Sequence, residues 1–144
     1  MSSKLALPHR RTLADEAATL ALGQELAAIL PKTALVFLHG DLGAGKTTLV
    51  RGILRGRDFK GSVKSPTYTL LEPYDLPSGA IYHFDFYRIV DPEELDFIGV
   101  DEMLQGPGLK LVEWPERAAD RLPPPDHEVW LSHRSDGGRD VEIR

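Results

Sequence analysis

The 144-residue sequence contains no cysteine, which excludes both a disulfide framework and a thiolate metal site. It has no apolar run approaching the roughly 18 residues of a membrane-spanning helix, and its N-terminus, MSSKLALPHRR, lacks the apolar stretch of a signal peptide. Basic charge is scarce as well. Lys and Arg total 17 against 22 Asp and Glu, for a net charge of −5. Binding to nucleic acid is dominated by cations that neutralise phosphates, so this balance argues against a chain that binds nucleic acid unaided and leaves only a contact shared with a partner. Internal repeats and low-complexity tracts are also missing. What is present is ordinary for a globular protein, with 42% hydrophobic and 27% charged residues. A single domain spanning 1–144, cytoplasmic and without membrane association, is expected.

The apolar residues Leu13, Ala17, Leu20, Ala27 and Leu30 recur at helical spacing, and Thr12 with Asp15 resembles a capping box, so the pattern predicts a helix over Thr12–Leu30. Ala34 to His39 (ALVFLH) is a continuous apolar run of the kind that forms a strand buried on both faces of a parallel sheet. A Gly-rich turn follows, then helical periodicity from Thr47 to Arg55 and a basic, aperiodic stretch from Gly56 to Lys64 that reads as a mobile loop. Thr67–Tyr74 and Ala80–Tyr87 predict a hairpin turned by Leu76-Pro77-Ser78-Gly79. Asp91-Pro92-Glu93-Glu94 is a helix start, Leu109–Glu113 a second buried strand, and Pro115–Arg121 a brief helix before the stiff Pro123-Pro124-Pro125 connector. Glu128–His133 and Arg139–Arg144 predict a closing hairpin around Asp136-Gly137-Gly138. The sum is an α/β sandwich of three layers, its central sheet mostly parallel with antiparallel hairpin additions.

Gly40-Asp41-Leu42-Gly43-Ala44-Gly45-Lys46-Thr47 fits G-x-x-x-x-G-K-S/T and lies between a predicted strand and a predicted helix, the setting a P-loop requires. Its glycines allow several backbone N–H groups to converge on phosphate oxygens, and the helix start adds its positive end. On this reading Asp41, Leu42, Gly43, Ala44, Gly45, Lys46, Thr47 and Thr48 line the phosphates of a nucleotide. Lys46 neutralises the β- and γ-phosphates, and Thr47 offers its hydroxyl to Mg²⁺. The metal needs a carboxylate from the C-terminal end of a neighbouring strand, because open α/β sheets bind ligands along that edge. Asp85 and Glu113 both stand immediately after apolar strand segments, and either can serve the metal or the attacking water.

Ser65-Pro66-Thr67-Tyr68-Thr69 reads equally as a switch-like segment over the γ-phosphate or as a plain turn into a strand. His83 and Arg88 flank Asp85 as candidates to meet phosphate or a partner, His83 being read as a satisfied half-buried histidine before a catalytic one, and Trp114 and Trp130 are read as core or partner-facing before nucleotide-stacking. The Arg-rich tract from Arg51 to Lys60 is read as a solvated face before a partner surface.

GDLGAGKTT (Gly40–Thr48), SPTYTL (Ser65–Leu70), HFDFYR (His83–Arg88) and VEWPER (Val112–Arg117) together resemble the TsaE family, formerly called YjeE, in order and spacing. The segment Glu94–Val100 departs from the Glu-Leu-Gly-Leu-like stretch usual there. The resemblance implies a bacterial ATPase needed for the threonylcarbamoyl-adenosine modification of tRNA. It implies docking on a TsaB–TsaD heterodimer, with tRNA met only through that complex and with ATP or ADP and Mg²⁺ as cofactors. By position it implies Lys46 and Thr47 at phosphate and metal, Asp85 and Glu113 as the acidic pair, and Thr67 as a switch-like catalytic residue. ATP hydrolysis that is weak alone and stimulated by the partner is therefore expected. The alternatives are a small P-loop kinase, for whose acceptor lid the chain has little room, and an adaptor ordered by ATP without hydrolysis.

Overall fold

The computed structural model describes residues 5–63, 70–97 and 99–144. The continuous apolar run Ala34–His39 forms strand β2 of the mixed seven-stranded sheet. The other strands are β1 (His9–Leu13), β3 (Leu71–Leu76), β4 (Gly79–Asp85), β5 (Leu109–Glu113), β6 (His127–His133) and β7 (Arg139–Ile143). The spatial order is β1-β7-β6-β2-β5-β4-β3. β6, β2, β5 and β4 run parallel at the centre, while β3 and the pair β7 and β1 add antiparallel edges. This is the sandwich that the sequence pattern predicts.

Helices α1 (Glu16–Ile29) and α2 (Lys46–Gly56) cover one face. The short helices α3 (Glu94–Phe97) and α4 (Val100–Gln105) and the 3-10 helix Pro115–Arg121 lie on the other. The pleat divides β2 between the two faces: Ala34, Val36 and Leu38 join the core under α1 and α2, whereas Leu35 joins Phe84, Phe86 and Val112 in the opposite core. Burial on both sides is why β2 reads as an unbroken apolar run instead of an alternation.

The predicted helix over Thr12–Leu30 starts too early. Residues 9–13 are instead strand β1, paired with β7 from His9↔Ile143 to Leu13↔Arg139, and Thr12 Oγ1 meets Asp140 Oδ1 at 3.3 Å. Asp15 is not the closing residue of a capping box but the cap itself, accepting a 2.9 Å bond from the Ala18 amide. Leu13 fits both the helical period and the inward face of an edge strand, and only the long-range pairing decides between them. The hairpin β3–β4 turns on Pro77 and Ser78 alone, since Leu76 already pairs with Gly79. The portion of the first predicted strand from Thr67 to Thr69 lies outside the described residues.

The segment read as a mobile loop after α2 is fastened at two points. Arg57 donates to Ala27 O at 2.8 Å and to Leu30 O at 2.7 Å, satisfying carbonyls at the end of α1, and Phe59 packs edge-on against Tyr74. Arg51 reaches Glu16 at 3.2 Å, so part of the basic tract is engaged within the fold. Helices α1 and α2 cross where Gly23 meets Gly52 with no side chain between them.

Candidate active site

The loop after β2 turns sharply at Gly43 (φ 78°) and Gly45 (φ 105°), backbone conformations that a β-carbon would strain. Residue 46 then opens α2, so its first-turn amides and positive dipole end face the loop. Arg139 on β7 braces the turn from outside, with Nε donating to Ala44 O at 3.1 Å and Nη2 to Gly43 O at 3.0 Å. A planar peptide directs its N–H opposite to its C=O, so holding the Ala44 carbonyl outward directs the Gly45 N–H inward.

Lys46 is buried and folds back on its own loop, with Nζ donating to Gly40 O at 2.6 Å and standing 3.9 Å from the centroid of the Trp114 ring. Burial pushes its pKa below the ordinary lysine value, against the opposing attraction of Glu113, Asp85, Glu116 and Asp41. A cation held this way is partly desolvated and has only weak partners of its own.

The two acids come from neighbouring parallel strands, where Asp85 at the end of β4 is in register with Glu113 at the end of β5. Ile81, Leu109 and Leu111 face α1 and α2, so period two along each strand places His83, Asp85 and Glu113 on that same side, toward the loop. Thr47 Oγ1 donates to Glu113 Oε2 at 3.4 Å, and His83 Nε2 lies 2.5 Å from the same oxygen. The opening of about 420 Å³ above them is lined by Lys46, Thr47, Thr48, Asp85, Glu113 and Trp114, among others.

Burial pushes the Asp85 carboxyl above the usual aspartate range. The Tyr87 N–H donated to Oδ1 at 3.0 Å acts against the shift, and the nearby Glu113 adds to it. A raised folded-state value means that the stability Asp85 contributes is complete below its unfolded value and is lost as pH rises through the folded one. Asp85→Asn keeps an acceptor for Tyr87 N–H but carries no charge. It is therefore expected to stabilise the fold near pH 7, with the gain shrinking as pH falls toward about 4. Urea unfolding of both proteins across that range reads the difference.

The cleft therefore unites Lys46, Thr47, Asp85 and Glu113, and Leu42, Gly43, Gly45 and Thr48 also line it. Asp41 lies at the exposed rim with its carbonyl accepting from Ala44 N at 3.0 Å, and the Ala44 side chain is buried beneath the loop. Thr67 lies outside the described residues. One hydroxyl and two carboxylates form a hard oxygen set suited to Mg²⁺, which binds through few protein ligands together with phosphates and water.

Three features escape the sequence reading. His83 is not half-buried but fully enclosed, and it is bonded to Glu113. Trp114 packs half-buried against the core that holds Phe84, Phe86 and Val112, as a core reading expects, but it also reaches the cleft. It occupies the left-handed region (φ 56°), costly for so bulky a residue, and its ring lies under Lys46 and against Tyr87, with the Arg117 guanidinium 5.3 Å from the Tyr87 ring. The sequence signal for it was its place directly after Glu113. Arg139 gave no signal, because its role depends on β7 lying beside the loop.

Comparison with known proteins agrees with this architecture. The family model described as "Threonylcarbamoyl adenosine biosynthesis protein TsaE" matches residues 13–141. The chain is 45% identical to the tRNA threonylcarbamoyladenosine biosynthesis protein TsaE of Haemophilus influenzae over 134 residues, covering 90% of this chain and 84% of that one. It is 37% identical over 135 residues to the protein of the same name from a Nostoc species, covering 91% and 82%. The crystal structure of Bacillus subtilis YdiB superposes with a TM-score of 0.79 at 27% identity, across 98% of this chain and 87% of that one. From the matched residues and the shared fold, the chain belongs to the TsaE family of threonylcarbamoyl adenosine biosynthesis proteins.

Proposed function

We propose that the chain binds ATP with Mg²⁺ at this cleft and hydrolyses it, and that it does so docked on a TsaB–TsaD heterodimer during tRNA threonylcarbamoyladenosine modification, meeting tRNA only through that complex. The observation that carries the reading is the convergence of a P-loop lysine and threonine with two carboxylates on adjacent strand ends, Thr47 Oγ1 standing 3.4 Å from Glu113.

The inward amides of the loop and the start of α2 hold the phosphates. Lys46 exchanges Gly40 O and the Trp114 ring for the β- and γ-phosphate oxygens, a stronger partner for a desolvated cation than a carbonyl and a π-face. Thr47, with the carboxylates of Asp85 and Glu113, would hold Mg²⁺ or its water shell, and the ion would supply further neutralisation of phosphate charge. Glu113 orients the attacking water. The water oxygen forms a bond to the γ-phosphorus as the bridging oxygen leaves with its electron pair on ADP, and the water proton ends on the released phosphate. Positioning and charge supply nearly all of this catalysis, so a surface that closes over the open cleft accelerates it, which is the role assigned to the partner.

Lys46→Ala is expected to weaken ATP binding about 10- to 100-fold, the loss of charge-assisted hydrogen bonds worth roughly 1.5–3 kcal/mol. Titration calorimetry in magnesium measures it. Absence of any ATP uptake by the unaltered, folded protein would remove the reading altogether. Equal hydrolysis with and without the TsaB–TsaD heterodimer would remove the docking step.

A further inference from the structure

We propose that His83 is the positioning residue of this site: it fixes the Glu113 side chain by one oxygen so that the other is presented to the attacking water. The inference rests on the hydrolytic reading above and deepens it by naming what holds the water-orienting acid.

His83 is 0% exposed, the most completely enclosed polar side chain near the cleft. It stands on β4 opposite Leu111, among positions otherwise occupied by Ile81, Leu109 and Leu111 on the face beneath α2. An aliphatic residue would satisfy that environment. The imidazole instead brings two polar nitrogens into it, and among the described residues only one is used: Nε2 lies 2.5 Å from Glu113 Oε2, while Nδ1 has no hydrogen-bond partner there. A buried polar atom without a partner costs about 1–3 kcal/mol. A ring kept under that penalty, with its single hydrogen bond to one carboxylate, serves the carboxylate.

The geometry states how. In a pairing in which the carboxylate accepts, Nε2 is the donor, and Nδ1 is the ring nitrogen left without a described partner. Among the described residues both bonds to the Glu113 carboxylate, from His83 and from Thr47, end on Oε2. Oε1 is the oxygen left for water. The two holders are unequal: the Thr47 bond is long at 3.4 Å and its hydroxyl is needed at the metal and phosphates, whereas His83 has no second engagement among the described residues and is fully buried. Glu113 is therefore held when Thr47 turns to its ligand. Side chains that orient a reacting carboxylate through its unused oxygen act by restricting its rotamers, and their removal typically costs about 10- to 100-fold in activity.

The test is single-turnover ATP hydrolysis by the full chain in excess over ATP, with the TsaB–TsaD heterodimer present in every arm. His83→Phe keeps a ring and removes the donor; His83→Met does the same without a ring, in case the phenyl does not fit; His83→Gln restores an N–H near the position of Nε2. The expected result is a rate lowered about 10- to 100-fold in H83F or H83M, an ATP affinity by calorimetry unchanged within about threefold, and recovery of most of the rate in H83Q. In an E113Q background the same His83 change is expected to add almost nothing, because two residues acting as one unit are non-additive. Full additivity, or a rate in H83F or H83M equal to the unaltered protein's, overturns the proposal while leaving hydrolysis intact. No hydrolysis by the unaltered protein overturns the hydrolytic reading itself, and this inference with it. Should neither donor-free variant fold, imidazole ¹⁵N spectra of the unaltered protein decide: a His83 ring protonated at Nε2, whose proton shifts in E113Q, supports the pairing, and a ring protonated at Nδ1 overturns it.

Discussion

Replacing Glu113 with Gln is expected to lower single-turnover ATP hydrolysis about 10²- to 10⁴-fold, the usual contribution of a positioned general base or water-orienting acid. ATP affinity is expected to hold within a few fold. Gln preserves the shape of the side chain and an oxygen that can still accept from His83, so the fold and the neighbouring contacts persist and only the charge facing the water is lost. The choice between the two acids follows from their settings. Glu113 is 3% exposed and tied through Oε2 to two elements, β4 and α2, which gives it the fixed geometry that orienting a nucleophile requires. Asp85 is half-buried, and among the described residues its carboxylate is held by the Tyr87 N–H alone. It suits the metal's water shell, where several geometries are tolerated. The measurable separation is that E113Q loses rate at every magnesium concentration, whereas Asp85→Asn recovers rate as magnesium is raised. A Glu113→Gln enzyme that turns over normally, or that is rescued by magnesium, would reverse the assignment.

Much of this site is legible in the chain itself, for a physical reason. The loop and its flanking strand and helix are local: Ala34–His39, Gly40–Thr47 and the start of α2 are contiguous, and their structure depends on glycine conformations and on burial that leaves its own periodicity. Asp85 and Glu113 are also readable, since each follows an apolar strand, and parallel strands place their C-terminal ends on one edge. What the sequence conceals depends on distances across the fold. That His83 reaches Glu113 depends on the β4–β5 register, and Arg139 braces residues almost a hundred positions earlier because β7 returns beside the loop. Edge strand β1 was hidden for a related reason. Its residues have an amphipathic pattern that a helix also satisfies, and the pairing partner that decides the matter is the last strand of the chain.

The largest effect on stability is expected from Gly52→Ala. A β-carbon at Gly52 would lie 2.4 Å from Leu20 O and 3.0 Å from Gly23 Cα, and one at Gly23 would lie 2.5 Å from Leu49 O. The obstructing atoms are backbone, so no rotamer change relieves the contact. The two helices must separate by roughly 1 Å or more, opening gaps around Leu22, Leu49 and Ile53, all of them buried. Intrinsic propensity acts in the opposite direction, because alanine favours a helix over glycine by about 1 kcal/mol. Overpacking against rigid backbone exceeds that gain, and a net loss of about 3 kcal/mol, or roughly 10 °C in Tm, is expected. Arg55→Ala, on the exposed side of the same helix, is the control and is expected to remain within about 0.5 kcal/mol of the unaltered protein. The two glycines also bear on function, because α2 carries Lys46 and Thr47 on its first turn and its seating on α1 sets where they stand against β4 and β5. Gly52→Ala is therefore expected to weaken ATP binding as well as stability, although residue 52 lines no part of the cleft. Urea unfolding and calorimetry on the two variants together decide it, and a Gly52→Ala protein as stable as Arg55→Ala would show that the helix crossing does not need its missing side chains.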